Sequence, residues 1–234
     1  MPSFRIVLVQ PTYEINLGHC ARVMSNFGFE ELVLVAPECD PRGFDAKKYA
    51  KHGVEVLERA RVVDGFADAV RGCDLVVGTT GVLKRSPSTL RNPITPKLFA
   101  QRMRSFAGKV ALVFGREGSG LTADEIKACD FMVSIPASRR YRVLNLSHAL
   151  AILLYELHAL KKPRMIRLAR KEEREALEEM FGKMVNLTGP WRGPGKIKLA
   201  FRRVLSRALI TDAESAALIG VFRRAAERLG ASVP

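Results

Sequence analysis

Several features are scarce in this sequence. No apolar run approaches the roughly 20 residues that a bilayer span requires. The opening MPSFRIVLVQP lacks the charged segment and small-residue cleavage site of a secretory leader. No membrane span is expected, and the cytoplasm is the expected compartment. Cys20, Cys39, Cys73 and Cys129 lie far apart and form no Cys-x-x-Cys pair, so they suggest neither a zinc knuckle nor a redox motif. They read as reduced, mostly buried small hydrophobes. His19, His148 and His158 are scattered with no carboxylate partner in reach along the chain. No metal cluster and no histidine catalysis is therefore expected. There is also no internal repeat and no low-complexity segment.

Acidic residues are in the minority, 24 against 38 Lys and Arg, for a formal net charge of +14. An excess of that size is the footprint of a polyanionic partner. Its distribution is uneven. Residues 161–234 carry 17 basic and 8 acidic side chains, a net of +9, and the first 160 carry 21 and 16, a net of +5. A solvated basic surface is the bland alternative, but concentration in a terminal segment favours nucleic acid. With 234 residues, 47% of them hydrophobic, the chain is long enough for one large domain and a small one.

Short Val/Leu/Ile runs recur at FRIVLVQ, ELVLVAP, DLVVGTT, KVALVF and FMVSIP, with helical patterns such as ITPKLFAQRMRSF between most of them. A further short strand is possible at RVV, residues 61–63. Apolar runs separated by helices predict a parallel α/β sheet. The helix LNLSHALAILLYELHAL is apolar nearly all round, and the chain changes character at KKPR. Beyond it, EEREALEEMFGKMVNL, KIKLAFRRVLSRAL and DAESAALIGVFRRAAERL predict three amphipathic helices, with Thr211 and Glu214 as a capping box for the last. The expected domains are residues 1–160 and 161–234.

Ligands of open parallel sheets bind beyond the carboxyl ends of strands. Directly after KVALVF stands Gly115-Arg-Glu-Gly118-Ser-Gly120, and Thr122 with Glu125 caps the helix that follows. A Walker loop needs lysine where Leu121 stands, and the glycine spacing does not match a dinucleotide fingerprint. A tight turn accounts for one or two of the glycines. Three suggest a backbone brought against a flat, mostly uncharged ligand.

Two further segments sharpen this: NLGHCARVMSNFGF, with Asn16, Gly18, Arg22, Asn26 and Gly28, and IPASRRYRVLNLSHAL. With LVFGREGSGL, the three in this order resemble the motifs of the SPOUT 2′-O-ribose methyltransferases over roughly residues 5–160. The helical tail is similar to that of the TrmJ-type tRNA methyltransferases. This resemblance implies a knotted parallel-sheet methyltransferase domain followed by a small all-helical one. It also implies a homodimer with S-adenosylmethionine as cofactor and tRNA as substrate. The implied reaction is 2′-O-methylation of the anticodon-loop nucleotide at tRNA position 32, a cytidine or uridine. A ribosomal RNA 2′-O-methyltransferase, or an RNA-binding protein of this fold without methyl transfer, are the alternatives.

Carried onto this chain, the resemblance assigns the cofactor to Thr79, Thr80, Gly81, Gly115, Glu117, Gly118, Gly120, Ile135, Val143, Leu144 and Asn145. Val143 stands where many of those enzymes have serine. For Ile135, Val143 and Leu144, core packing is the competing reading. Glu117 either fixes Arg22 or the loop, or is a solvated turn residue. The 2′-hydroxyl must lose its proton, and the family picture gives that task to Arg22. A free guanidinium stays protonated above about pH 12, so a bidentate hold on the target phosphate is equally open. A surface helix arginine ranks third. Asn16 positions the ribose, caps a helix, or both. For the RNA, Lys84, Arg85, Arg91, Arg139, Arg140 and Arg142 border the cofactor loops, Tyr141 is placed to stack on an extruded base, and Arg202, Arg203 and Arg207 are expected to grip phosphates.

Overall fold

The computed structural model describes residues 2–81, 93–138, 140–158 and 167–230. Lys84, Arg85, Arg91 and Arg139 lie outside the described residues, as does the boundary expected at 160/161. The chain divides into two compact units, Met1–Arg104 with Gly108–Arg164, and Ser105–Ala107 with Met165–Pro234.

The first unit holds one sheet of six strands, β1 (Ser3–Val9), β2 (Glu31–Val35), β3 (Arg61–Val63), β4 (Leu75–Thr79), β5 (Lys109–Phe114) and β6 (Phe131–Val133). All pairings are parallel and the order is β3-β2-β1-β5-β4-β6. Its helices are α1 (Glu14–Phe27), α2 (Phe44–Ala50), α3 (Val54–Glu58), α4 (Phe66–Val70), α5 (Pro96–Met103), α6 (Ala123–Ala128) and α7 (Leu146–His158). The continuous apolar runs have their cause here: Ile6, Val7, Leu8 and Val9 are all at most 1% exposed, because helices cover both faces. Ile6 stands opposite Leu32 of β2 and Leu112 of β5. On α1, Gly18 permits close approach of α2, since a Cβ there would lie 2.4 Å from the Ala46 carbonyl oxygen.

From β1 the chain winds outward through β2 and β3 on one side, while β5, β4 and β6 occupy the other. The carboxyl ends of β1 and β5 therefore flank the point where the winding reverses, where open α/β sheets form their crevice.

The second unit is helical, with α8 (Lys171–Leu187), α9 (Pro194–Ala208) and α10 (Asp212–Arg228). Its core joins Ala169, Leu177, Leu205 and Ile210 to Phe201, Leu218, Ile219 and Phe222. Phe181 stacks on Phe201 with centroids 3.8 Å apart, and the expected Thr211–Glu214 capping box starts α10. No helix among the described residues is long and apolar enough to cross a membrane.

One expectation for this unit is corrected. Arg203 is 3% exposed, so its guanidinium does not face a phosphate backbone. It is one of three buried residues of α9, with Leu205 and Ser206, while Arg202 is 40% exposed and only 4.0 Å from Glu178. Arg203→Ala should therefore act on the fold. A loss of about 1–3 kcal/mol in unfolding free energy is expected, with the salt dependence of RNA binding unchanged, as denaturant melts and filter binding would record.

Candidate active site

The loops after β1, β4, β5 and β6 and the segment before α7 converge on one cavity of about 480 Å³, within the range of small-molecule sites. It is lined by Tyr13 and Asn16, by Thr79, Thr80 and Gly81, by the run from Gly115 to Leu121, by Ile135, and by Tyr141, Arg142, Val143, Leu144 and Asn145. Every residue assigned to the cofactor from the sequence thus borders a single space. Arg22 does not line it. Nor does Arg140, which is exposed beside it in the chain.

The three glycines after β5 have three different reasons. A Cβ on Gly115 would lie 2.3 Å from the Gly120 carbonyl carbon and 2.4 Å from the Leu121 nitrogen, so the loop closes only on a bare residue. Gly120 has φ of 71°, in the left-handed region that suits glycine. Residues 116 and 120 pair across this turn, with backbone hydrogen bonds of 3.2 and 2.9 Å. Gly118 is different: a Cβ there meets nothing within 4 Å. The loop itself thus explains two of the glycines and leaves the third facing open space on the cavity wall.

A second clasp holds the loop, through an arginine that nothing in the sequence singles out. Arg116 donates from Nη1 and Nη2 to the two carboxylate oxygens of Glu125 at 3.0 and 3.1 Å, and from Nε to Gln10 at the end of β1. Glu125 also completes the capping box of α6, accepting from the Thr122 amide at 2.7 Å. Burial pushes the Glu125 carboxyl up, but the bonds from Arg116 and Thr122 outweigh it and hold it below its usual value. A depressed carboxyl contributes stability above its unfolded value, about 4.3, and loses it as pH falls through the folded one. The thermal midpoint should therefore drop on acidification below about pH 4.3, and Glu125→Gln should flatten that part of the profile, measured by melts in a pH series.

A chain of side-chain hydrogen bonds links the three segments singled out in the sequence. Glu117 accepts from the Thr12 amide at 3.3 Å and from Asn16 Nδ2 at 3.5 Å. Asn16 Oδ1 accepts from Asn145 Nδ2 at 2.8 Å. Asn145 Oδ1 in turn accepts from the amide and hydroxyl of Ser147, at 2.9 and 2.8 Å, at the start of α7. Two expectations change. Glu117 fixes Asn16 and its own loop, not Arg22. Asn16 is not the helix cap either, because α1 begins at Glu14 with Tyr13 in the capping position and no side-chain bond. Asn16 lies inside the first turn, its amide engaged on both sides.

The remaining positions follow their strands. Thr79 donates its hydroxyl to the Val113 carbonyl at 3.0 Å, tying β4 to β5. A Cβ on Gly81 would touch Val143 Cγ2 at 3.4 Å, so the loops after β4 and before α7 meet at that glycine. Tyr141 is 81% exposed and Val143 54%, so packing in a core does not account for Val143. Arg22 is exposed on α1, and its side chain makes no hydrogen bond or ion pair among the described residues. No group of three or more metal-ligating side chains occurs among the described residues.

Comparison with known proteins agrees with this architecture. Residues 3–155 match the SpoU rRNA Methylase family. The tRNA (cytidine-2′-O-)-methyltransferase TrmJ of Methanocaldococcus jannaschii is 38% identical over 226 residues, covering 93% of this chain and 97% of that protein. The enzyme of the same name from Sulfolobus acidocaldarius is 32% identical over 97% of this chain and 95% of its own. Among solved structures, TrmJ from Z. mobilis ZM4 superposes with a TM-score of 0.66 at 31% identity, covering 96% of this chain and 98% of that one. With the family's sequence signature across the sheet unit and TrmJ-like sequence over nearly its whole length, the chain belongs to the SpoU methylase family, in its TrmJ branch.

Proposed function

We propose that the protein transfers a methyl group from S-adenosylmethionine to the ribose 2′-hydroxyl of a tRNA nucleotide, the cytidine or uridine at position 32 of the anticodon loop. The observation that carries this is the single cavity on which all three segments converge, with Asn16 at the centre of their hydrogen-bond chain. The cavity fits the cofactor. Ile135, Val143 and Leu144 offer apolar walls to a flat adenine, and Gly118 leaves a stretch of wall without a side chain. Thr79, Thr80 and Gly81 border the same space from the β4 side. When bound, S-adenosylmethionine supplies a sulfonium methyl that needs no further activation.

The protein's task is then positioning and charge. Asn16, held from both sides, orients the target ribose without rotating. Arg22, exposed and unengaged among the described residues, grips the target phosphate with its planar fork. Tyr141 stacks on the extruded base, and Arg140 and Arg142 flank it. Arg202 and Arg207 add phosphate contacts from the helical unit. Cytoplasmic placement goes with a tRNA substrate. A homodimer and a trefoil knot belong to the same reading, and the exposed Ile152 and Tyr155 on α7 are apolar surface of the kind a second copy covers.

The test is tritiated methyl incorporation from S-adenosylmethionine into total RNA, mapped by nuclease digestion. Label in the 2′-O-methylated nucleoside at tRNA position 32 is expected. Label confined to ribosomal RNA, or none with cofactor bound, would overturn the assignment.

A further inference from the structure

The helical unit displays one aromatic ring. Between residues 167 and 230 the aromatic residues are Phe181, Trp191, Phe201 and Phe222, and Phe106, the unit's other ring, is buried. Phe181, Phe201 and Phe222 pack on one another, with centroids 3.8 to 5.7 Å apart. Trp191, the only tryptophan of the protein, is 50% exposed.

Its setting is hydrogen-bonded. The Trp191 amide donates to the Gly189 carbonyl at 3.0 Å. Its indole Nε1–H donates to Thr188 Oγ1 at 3.1 Å, and that hydroxyl donates to the Met184 carbonyl at 2.9 Å, at the end of α8. The polar edge of the ring is therefore satisfied within the chain. What the ring has left to offer a ligand is its face.

The surroundings carry one sign of charge. From residue 180 to 211 there is no aspartate or glutamate, while Lys183, Arg192, Lys196, Lys198, Arg202, Arg203 and Arg207 all fall in that span. Lys183 and Arg202 face Glu179 and Glu178, and Arg203 is buried. Arg192, Lys196 and Lys198 make no ion pair among the described residues. Residues 186–196 are exposed without interruption. The ring thus stands in a cationic, solvent-open segment.

We infer that Trp191 is a stacking platform for an unpaired nucleotide of the RNA substrate, with Arg192, Lys196 and Lys198 as its phosphate contacts. An exposed aromatic face with its hydrogen-bonding edge engaged recognises a base by its π-surface, whatever the base, and cations alongside hold the backbone. The helical unit thereby grips RNA with residues that do not line the methyl-transfer cavity. This rests on the tRNA reading above.

The lone tryptophan is also the probe. Titrating the full-length protein with tRNA should quench its fluorescence, and added salt should reverse the quench. Trp191→Ala should weaken tRNA binding by about fivefold to a hundredfold, the range for a lost base stack, with S-adenosylmethionine affinity and thermal midpoint unchanged. Trp191→Phe, which loses the Thr188 bond but keeps a flat face, should restore more of the affinity than Trp191→Leu. Wild-type tRNA affinity in Trp191→Ala, or no quench, alongside methyl transfer by the parent protein, overturns the platform and leaves the methyltransferase reading standing. Equal rescue by Leu and Phe, or emission that changes with protein concentration before RNA is added, overturns it as well by pointing to apolar packing or self-association. A parent protein that neither binds nor methylates tRNA overturns both.

Discussion

Gly118→Val is expected to abolish S-adenosylmethionine binding and to leave the thermal midpoint close to that of the parent protein. The position decides this. Gly118 borders the cavity, a Cβ there meets nothing within 4 Å, and its φ is not in the left-handed region. Valine is therefore accepted by the chain, and its branched side chain fills space at the cavity wall. The neighbouring glycines give contrasting results. Gly115→Ala drives a methyl into the backbone of Gly120 and Leu121, so binding and stability are lost together. Gly120→Ala forces a side chain onto a φ of 71° at a cost of about 1–2 kcal/mol, weakening the loop in proportion. Calorimetric titration with S-adenosylmethionine and thermal melts on the three variants measure both quantities. Full affinity in Gly118→Val would remove this wall from the cofactor site.

The sheet was legible in the sequence because its central strands are buried on both faces, which writes a continuous apolar run where Ile6 to Val9 or Val110 to Phe114 stand. The order of the strands was not. Placing β5 between β1 and β4 depends on pairings such as Phe4 with Val110 and Leu75 with Val110, and no local periodicity records which distant run lies alongside. The same distinction holds in the site. Glycines and asparagines are conspicuous, so Asn16, Asn145 and the loop after β5 could be singled out, and the cavity gathers them. Arg116 is one arginine among many until the fold places Gln10 and Glu125 against it. Arg203 shows the opposite error. Adjacent arginines in a basic helix look alike in sequence, yet each step turns the helix by about 100°, so Arg202 is partly exposed while its neighbour is buried.

Arg22→Ala should lower methyl transfer by at least about a hundredfold, the scale for loss of a positioned group at the reacting centre, with cofactor affinity barely changed. The second half follows from geometry, because Arg22 lies off the cavity wall and holds no cavity residue. The first half follows from what an exposed arginine on the helix that carries Asn16 offers an incoming ribose-phosphate. Lysine at this position separates the two roles open to it. As a phosphate clamp, Arg22 needs charge and a fork, so Arg22→Lys keeps the charge, loses the bidentate bond, and recovers part of the lost kcat/KM, mainly through KM for tRNA. As proton acceptor, the loss falls on kcat and the pH profile of kcat changes with it. Steady-state kinetics of parent, Ala and Lys enzymes across a pH series, with calorimetric affinity for S-adenosylmethionine alongside, decide between them. The clamp is the expected outcome, since a planar guanidinium is built to hold a phosphate bidentately and is a poor proton acceptor. Parent-level turnover in Arg22→Ala would make this residue an ordinary solvated arginine and leave Asn16 as the one polar side chain of α1 at the site.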